Sequence, residues 1–94
     1  MSTESKTFDD VFDALADTPA EAANLRARAD LMDALSALVA AQGWTQAEAA
    51  RRCGVTQPRM NDMLRGRISR FSLDALVNMA VGCGQRVHIE LTAA

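Results

Sequence analysis

The reading of this chain turns on Trp44–Arg67, WTQAEAARRCGVTQPRMNDMLRGR. It predicts two short helices joined by a tight turn. Thr45 opens the first, and Glu48 three positions on completes a T-x-x-E capping box. Ala47, Ala49 and Ala50 keep that helix thin, so a second helix can pack closely against it. Gly54 stands where a left-handed residue is wanted after a helix, a conformation that costs glycine no Cβ clash. Val55 can fill the gap between the helices. Thr56 is placed to cap the second helix, with Pro58 tolerated in its first turn. Met60, Met63 and Leu64 recur at i, i+3 and i+4 and give one apolar stripe, whereas Gln57, Arg59, Asn61, Asp62 and Arg65 fall largely outside it. Gly66 can close the helix.

A helix that buries one face and exposes Gln, Arg and Asn near its start suits the major groove of DNA. Gln and Asn pair bidentately with adenine, Arg pairs with guanine or phosphate, and a helix N-terminus itself favours phosphate. On Thr45-Gln46, Ala49-Ala50, Gly54-Val55-Thr56-Gln57 and Leu64-Arg65-Gly66, the stretch resembles the helix-turn-helix of the phage-repressor-like (Xre) family. The DNA-binding set expected from this reading is Gln46, Thr56, Gln57, Pro58, Arg59, Asn61, Asp62, Arg65, Arg67 and Arg70. Gln57, Arg59 and Asn61 are assigned to base edges; Gln46, Arg65, Arg67 and Arg70 are assigned to phosphates. Asp62 departs from a purely basic surface: it could accept from cytosine N4, or only orient Arg59 or Arg65.

Charge supports this reading once it is resolved by position. The net charge of −2 conceals an acidic front, eight acids against Lys6, Arg26 and Arg28 over residues 1–33, and a later part with seven arginines against four acids. Six of those arginines lie between positions 51 and 70, where Asp62 is the only acid. An acidic arm followed by a basic centre points to nucleic acid for the basic part.

Working outward towards the N-terminus, Thr18-Pro19-Ala20-Glu21 is a second capping box with proline in the first turn. The helix it starts can run to Gln42 and stop at Gly43, as one long helix or as two with a break near Asn24. Leu25, Leu31, Met32, Leu35, Leu38 and Val39 form its broad apolar stripe, with Arg26, Arg28, Asp30 and Asp33 mostly off it. Before it, Phe8, Val11, Phe12 and Leu15 recur at helical spacing among Asp9, Asp10 and Asp13. That short amphipathic helix either packs on its own domain or docks on another protein. Residues 1–7 are polar, as chain termini often are.

Towards the C-terminus, Arg67-Ile68-Ser69-Arg70 reads as a basic link. Ser72 caps a further helix, Phe71 before it can staple onto Leu76, and Gly82 and Gly84 end it. Leu73, Leu76, Val77 and Ala80 are expected to pack inward. Residues 85–92 alternate strictly, with Val87, Ile89 and Leu91 on one face, which is a strand by its period. No other stretch offers a partner strand, so the simplest pairing is with the same strand of a second copy across a two-fold axis. The expected dimer interface is therefore Val87, Ile89 and Leu91.

Taken together, the chain is expected to be mostly α: a compact bundle of about five helices with a lambda-repressor-like helix-turn-helix, plus one C-terminal strand pairing across a dimer. Its organisation reads as an acidic arm over 1–17, the helix-turn-helix domain over 18–84 and a dimerisation strand and tail over 85–94. No apolar run approaches the roughly 20 residues needed to cross a bilayer, and the first ten residues lack a signal-peptide core, so a cytoplasmic protein without membrane association is expected. Cys53, Cys83 and His88 do not make a zinc site, and neither a metal nor a cofactor is expected. A disulfide is geometrically open but disfavoured in a cytoplasmic chain, so both cysteines are read as small buried hydrophobes. With no nucleophile–base pair and no phosphate-cradling loop, an enzyme is not expected.

The likeness widens once these parts are joined. Residues 22–32, Gly43-Trp44-Thr45-Gln46, Gly54-Val55-Thr56-Gln57-Pro58-Arg59, Leu64-Arg65-Gly66, Phe71-Ser72-Leu73-Asp74 and the final Val-x-Ile-x-Leu resemble the HigA-type antitoxins over about residues 8–92. Plain regulators share this layout. The resemblance implies a homodimer that binds a double-stranded operator, represses its own operon and neutralises a ribonuclease toxin. It implies toxin contact through the N-terminal segment, where Phe8, Val11, Phe12 and Leu15 are the candidates. The alternative is a stand-alone regulator with no toxin partner.

Overall fold

The computed structural model of the chain describes residues 16–93. Among these, four α-helices follow one another: α1 (Pro19–Gln42), α2 (Gln46–Cys53), α3 (Gln57–Leu64) and α4 (Leu73–Gly82), with a 3₁₀ turn at Ile68–Arg70 between the last two. The arm helix containing Phe8, Val11, Phe12 and Leu15, which made up the expected five, lies outside the described residues.

Each helix begins where its cap residue stands. Thr18, Thr45, Thr56 and Ser72 each accept a hydrogen bond from the backbone N–H three residues on, at 3.0–3.2 Å. In α1 the box is extended, because a Glu21 carboxylate oxygen also takes the Asp17 N–H at 3.2 Å. In α2 the box is only half built: Glu48 turns to Arg51 and Arg52 at 2.6 and 2.7 Å, the stronger cationic donors. The question left open for residues 19–42 closes as one helix of 24 residues. Asn24 is exposed there and does not interrupt it. Gly43 and Gly54 end α1 and α2 in the left-handed region, at φ 68° and 71°.

The core is where the amphipathic stripes meet. Met32, Leu35 and Val39 of α1 pack with Ala49, Ala50 and Cys53 of α2, Met60 and Met63 of α3, and Phe71, Leu76, Met79 and Ala80. Phe71 and Leu76, the two ends of the expected staple, are both essentially fully buried. Leu73 and Val77, expected inside, are only half-buried, and Met79 takes the inward position instead. Arg28 also departs from expectation. From the inner side of α1 it donates to the carbonyls of Ile68 and Phe71 at 3.2 and 3.1 Å, fastening the turn between α3 and α4 to the long helix.

Two further expectations are corrected. Cys53 and Cys83 are joined as a disulfide, with Cα atoms 4.7 Å apart, within the range the bond requires. Cys53 is buried as expected, but it is bonded to Cys83 rather than packed as a lone small hydrophobe. The approach is made by Gly82: a Cβ there would lie 2.9 Å from the Cys53 carbonyl oxygen, so glycine is what lets the ends of α2 and α4 come together. The second correction concerns the tail. No strand forms among the described residues. A strand needs a partner ladder, and the described residues of a single copy supply none. Val87 packs against the core, whereas Ile89 and Leu91 are 74% and 94% exposed.

Candidate nucleic-acid interface

The interface is built from the turn between α2 and α3 outward. Gly54 reverses the chain, the Val55 N–H closes onto the Ala50 carbonyl at 3.0 Å, and Val55 is wedged against the core. Thr56 then caps α3. Gln46 crosses from the start of α2 to the start of α3, its Nε2 donating to the Gln57 carbonyl at 3.0 Å. The two helix N-termini are thereby tied side by side on one surface, each offering unsatisfied backbone N–H groups suited to phosphate.

On α3, the buried Met60 and Met63 turn the opposite face outward. Thr56, Gln57, Pro58 and Arg65 are exposed, and Asn61 is half-buried between them and the core. Among the described residues, Gln57 and Arg65 have no intramolecular side-chain partner. Arg59 is held differently. Its guanidinium lies 4.1 Å from the centroid of the Phe71 ring and donates to the Arg70 carbonyl at 2.8 Å. It reaches a base only by leaving Phe71.

The chain leaving α3 turns back at Gly66, at φ 72°, with the Arg67 N–H bonded to the Asp62 carbonyl at 3.0 Å. This return brings Arg67 and Arg70 onto the Asp62 carboxylate, at 3.2 and 3.1 Å. Asp62 thus orients neither Arg59 nor Arg65, as its place on the helix allowed, but two arginines from the following turn. Sequence reasoning missed this because reading 67–70 as a basic link assigns it no path, and the return depends on the left-handed Gly66. The only signal available was the paired basic residues five and eight positions after a lone acid.

A second group flanks the surface. Glu48 holds Arg51 and Arg52, and Arg52 also lies over the Trp44 ring at 4.9 Å. Hydrogen bonds from Arg51 and then Arg52 hold the Glu48 carboxyl below its ordinary pKa. The expected dimer residues Val87, Ile89 and Leu91 stand on another part of the molecule, beside α1 and α4, where shallow grooves are lined by Leu31, Ala34, Val77 and the tail. Among the described residues, no cluster of His, Cys, Asp and Glu could hold a metal ion, and no helix is long and apolar enough to cross a membrane.

Two short helices at a glycine turn, the second presenting a polar face beside a cationic exit, define a helix-turn-helix of the DNA-binding class. Residues 14–92 match the family described as helix-turn-helix domain, and the chain belongs to that family. No curated protein matches the chain.

Proposed function

We propose that this chain is a sequence-specific repressor that binds a double-stranded DNA operator as a homodimer. The observation that carries the proposal is the exposed start of α3: Gln57 is solvent-exposed, aligned with the start of α2 by Gln46, and followed by Arg65, Arg67 and Arg70 on the way out of the helix. In this reading α3 enters the major groove, Gln57, Asn61 and a released Arg59 meet base edges, and the exit arginines meet phosphates. The test is a gel shift on the DNA upstream of the gene. Gln57→Ala costs roughly 1–3 kcal/mol on the operator and relaxes discrimination, while Arg67→Ala weakens all DNA and lowers the salt slope by about one. Parental binding by both variants would place the interface elsewhere.

We further propose an antitoxin role, in which the protein represses its own operon and neutralises a ribonuclease toxin. Its support is the resemblance to HigA-type antitoxins and the arm's sequence, where Phe8, Val11, Phe12 and Leu15 at helical spacing are interspersed with acids suited to a basic, RNA-binding partner. A small ribonuclease-like reading frame beside the gene, whose growth arrest this chain relieves, is the expected finding. Repression without any such neighbour favours the stand-alone regulator.

A further inference from the structure

Asp62 is the only acid among the six arginines between positions 51 and 70, and it stands on the helix that the proposed function places in the groove. A carboxylate there repels the phosphate backbone. It is nevertheless held at the centre of a triad. Its carboxylate oxygens take Arg70 Nη1, each at 3.1 Å, and one of them also takes Arg67 Nη1 at 3.2 Å. The Asp62 side chain is 18% exposed, while the Arg67 and Arg70 side chains are 38% and 55% exposed.

Two features decide what such a triad does. First, each arginine spends only Nη1 on Asp62, and a guanidinium has further N–H donors on Nε and Nη2 in a fixed fork. Both cations therefore keep donors for a phosphate while one edge is pinned. Second, the turn that carries them is anchored from the core: Arg28 grips the Ile68 and Phe71 carbonyls, a hold that stays in place when Arg59 is released to a base. The backbone beneath Arg67 and Arg70 is fixed, and the one remaining freedom, the swing of two long side chains, is what Asp62 removes.

Resting on the DNA-binding reading above, we infer that Asp62 is a positioning residue that sets specificity. It holds Arg67 and Arg70 where they meet two phosphates in a single register of α3 in the groove. On DNA where α3 finds no matching bases, the same constraint prevents the arginines from adapting to other registers, and the carboxylate offsets one of their charges. Asp62 thus sacrifices general affinity for a larger difference between the right site and the wrong ones.

The test begins with selection from a random duplex pool by the parent protein, followed by binding of parent and Asp62→Asn to the selected site and to a scrambled duplex over a salt series. The asparagine keeps the size of the side chain and removes its charge. The ratio of selected to scrambled affinity is expected to fall roughly tenfold, about what one mismatched base pair costs. The salt slope on scrambled DNA is expected to steepen by about one or more as released arginines displace additional counterions. In an Arg67→Gln/Arg70→Gln background, which must itself lower the ratio, adding Asp62→Asn is expected to change the ratio little. That background probes the triad from its other side, so the inference stays open to refutation even if the single variant misfolds. An unchanged ratio overturns the inference, as does an equal rise on both duplexes, which is a bare charge effect. A further loss of ratio when Asp62→Asn is added to the double-glutamine background overturns it too, because Asp62 would then act without the two arginines, by reading a base. If the parent enriches no site, the DNA-binding reading itself fails, and this inference with it.

Discussion

At the scale of the residue, Arg59 shows how one side chain can serve the fold on the surface expected to serve recognition. Helical periodicity put it off the Met60, Met63 and Leu64 stripe, and the structure agrees that it is not core. Periodicity could not show that Phe71 returns beneath it, because that depends on the left-handed Gly66 and on the path of the turn after it. Stacking on an aromatic face and a charge-assisted bond to a carbonyl are each worth about 1 kcal/mol. Arg59→Ala is therefore expected to destabilise the fold by roughly 1–2 kcal/mol, a fall in Tm of about 4–8 °C per kcal/mol in a domain of this size. Arg59→Lys restores the charge but not the planar fork, and is expected to recover only part of the loss. Thermal melting of the two variants checks this, with Gln57→Ala as the control, since Gln57 is exposed and its side chain supports nothing among the described residues.

At the scale of the element, the four helices were legible because their start signals are local. Threonine or serine caps, proline in the first turns of α1 and α3, and glycine after α1 and α2 are all chemistry within four residues of a helix end. What could not be read was long-range. The pairing of Cys53 with Cys83 joins positions 30 apart in sequence, and nothing near either cysteine announces the other. Gly82 ends its helix as its sequence position predicts, but its second role is long-range. It is the last residue of α4, and its lack of a side chain is used against the Cys53 backbone. Gly82→Ala is expected to push the helix ends apart and cost roughly 1–3 kcal/mol, the usual range for overpacking. Closing a loop of this length removes enough unfolded-state entropy to stabilise by about 3–4 kcal/mol. A thiol reductant should therefore lower the Tm of the parent by more than about 10 °C, while a Cys53→Ala/Cys83→Ala variant melts at one temperature with or without it. Identical melting of the parent in both conditions would show that the bond contributes nothing to stability.

At the scale of the whole molecule, the tail is the part whose periodicity and conformation disagree, and the disagreement has a physical cause. Alternation in residues 85–92 states which side chains would share a face if a ladder existed; it cannot create the ladder. After the Gln85 N–H, which bonds to the Ala80 carbonyl at 3.0 Å, no backbone–backbone hydrogen bond involves residues 86–93. Ile89 and Leu91 stand in solvent, and Val87, Ile89, Leu31 and Val77 line a groove of about 400 Å³ beside α1 and α4. Unpaired amides, exposed aliphatic side chains and an apolar groove are three deficits that one event would remove: antiparallel pairing of this segment with its copy across a two-fold axis. Such pairing would also set two copies of α3 on one duplex, where half-sites about 34 Å apart fall on the same side of the DNA. Deleting residues 86–94 is expected to leave the helical domain folded, because the removed segment contributes only Val87 to the apolar cluster. The deleted protein should scatter light as a monomer where the parent scatters as a dimer, and should lose most operator binding while a single half-site is still bound weakly. Substituting Ile89→Lys with Leu91→Lys, which keeps the chain length and charges the exposed face, is expected to do the same. A parent that is monomeric at the concentrations where it binds a palindrome would break the link between tail and recognition; a dimer that survives both changes would shift the interface to the exposed face of α4, around Val81.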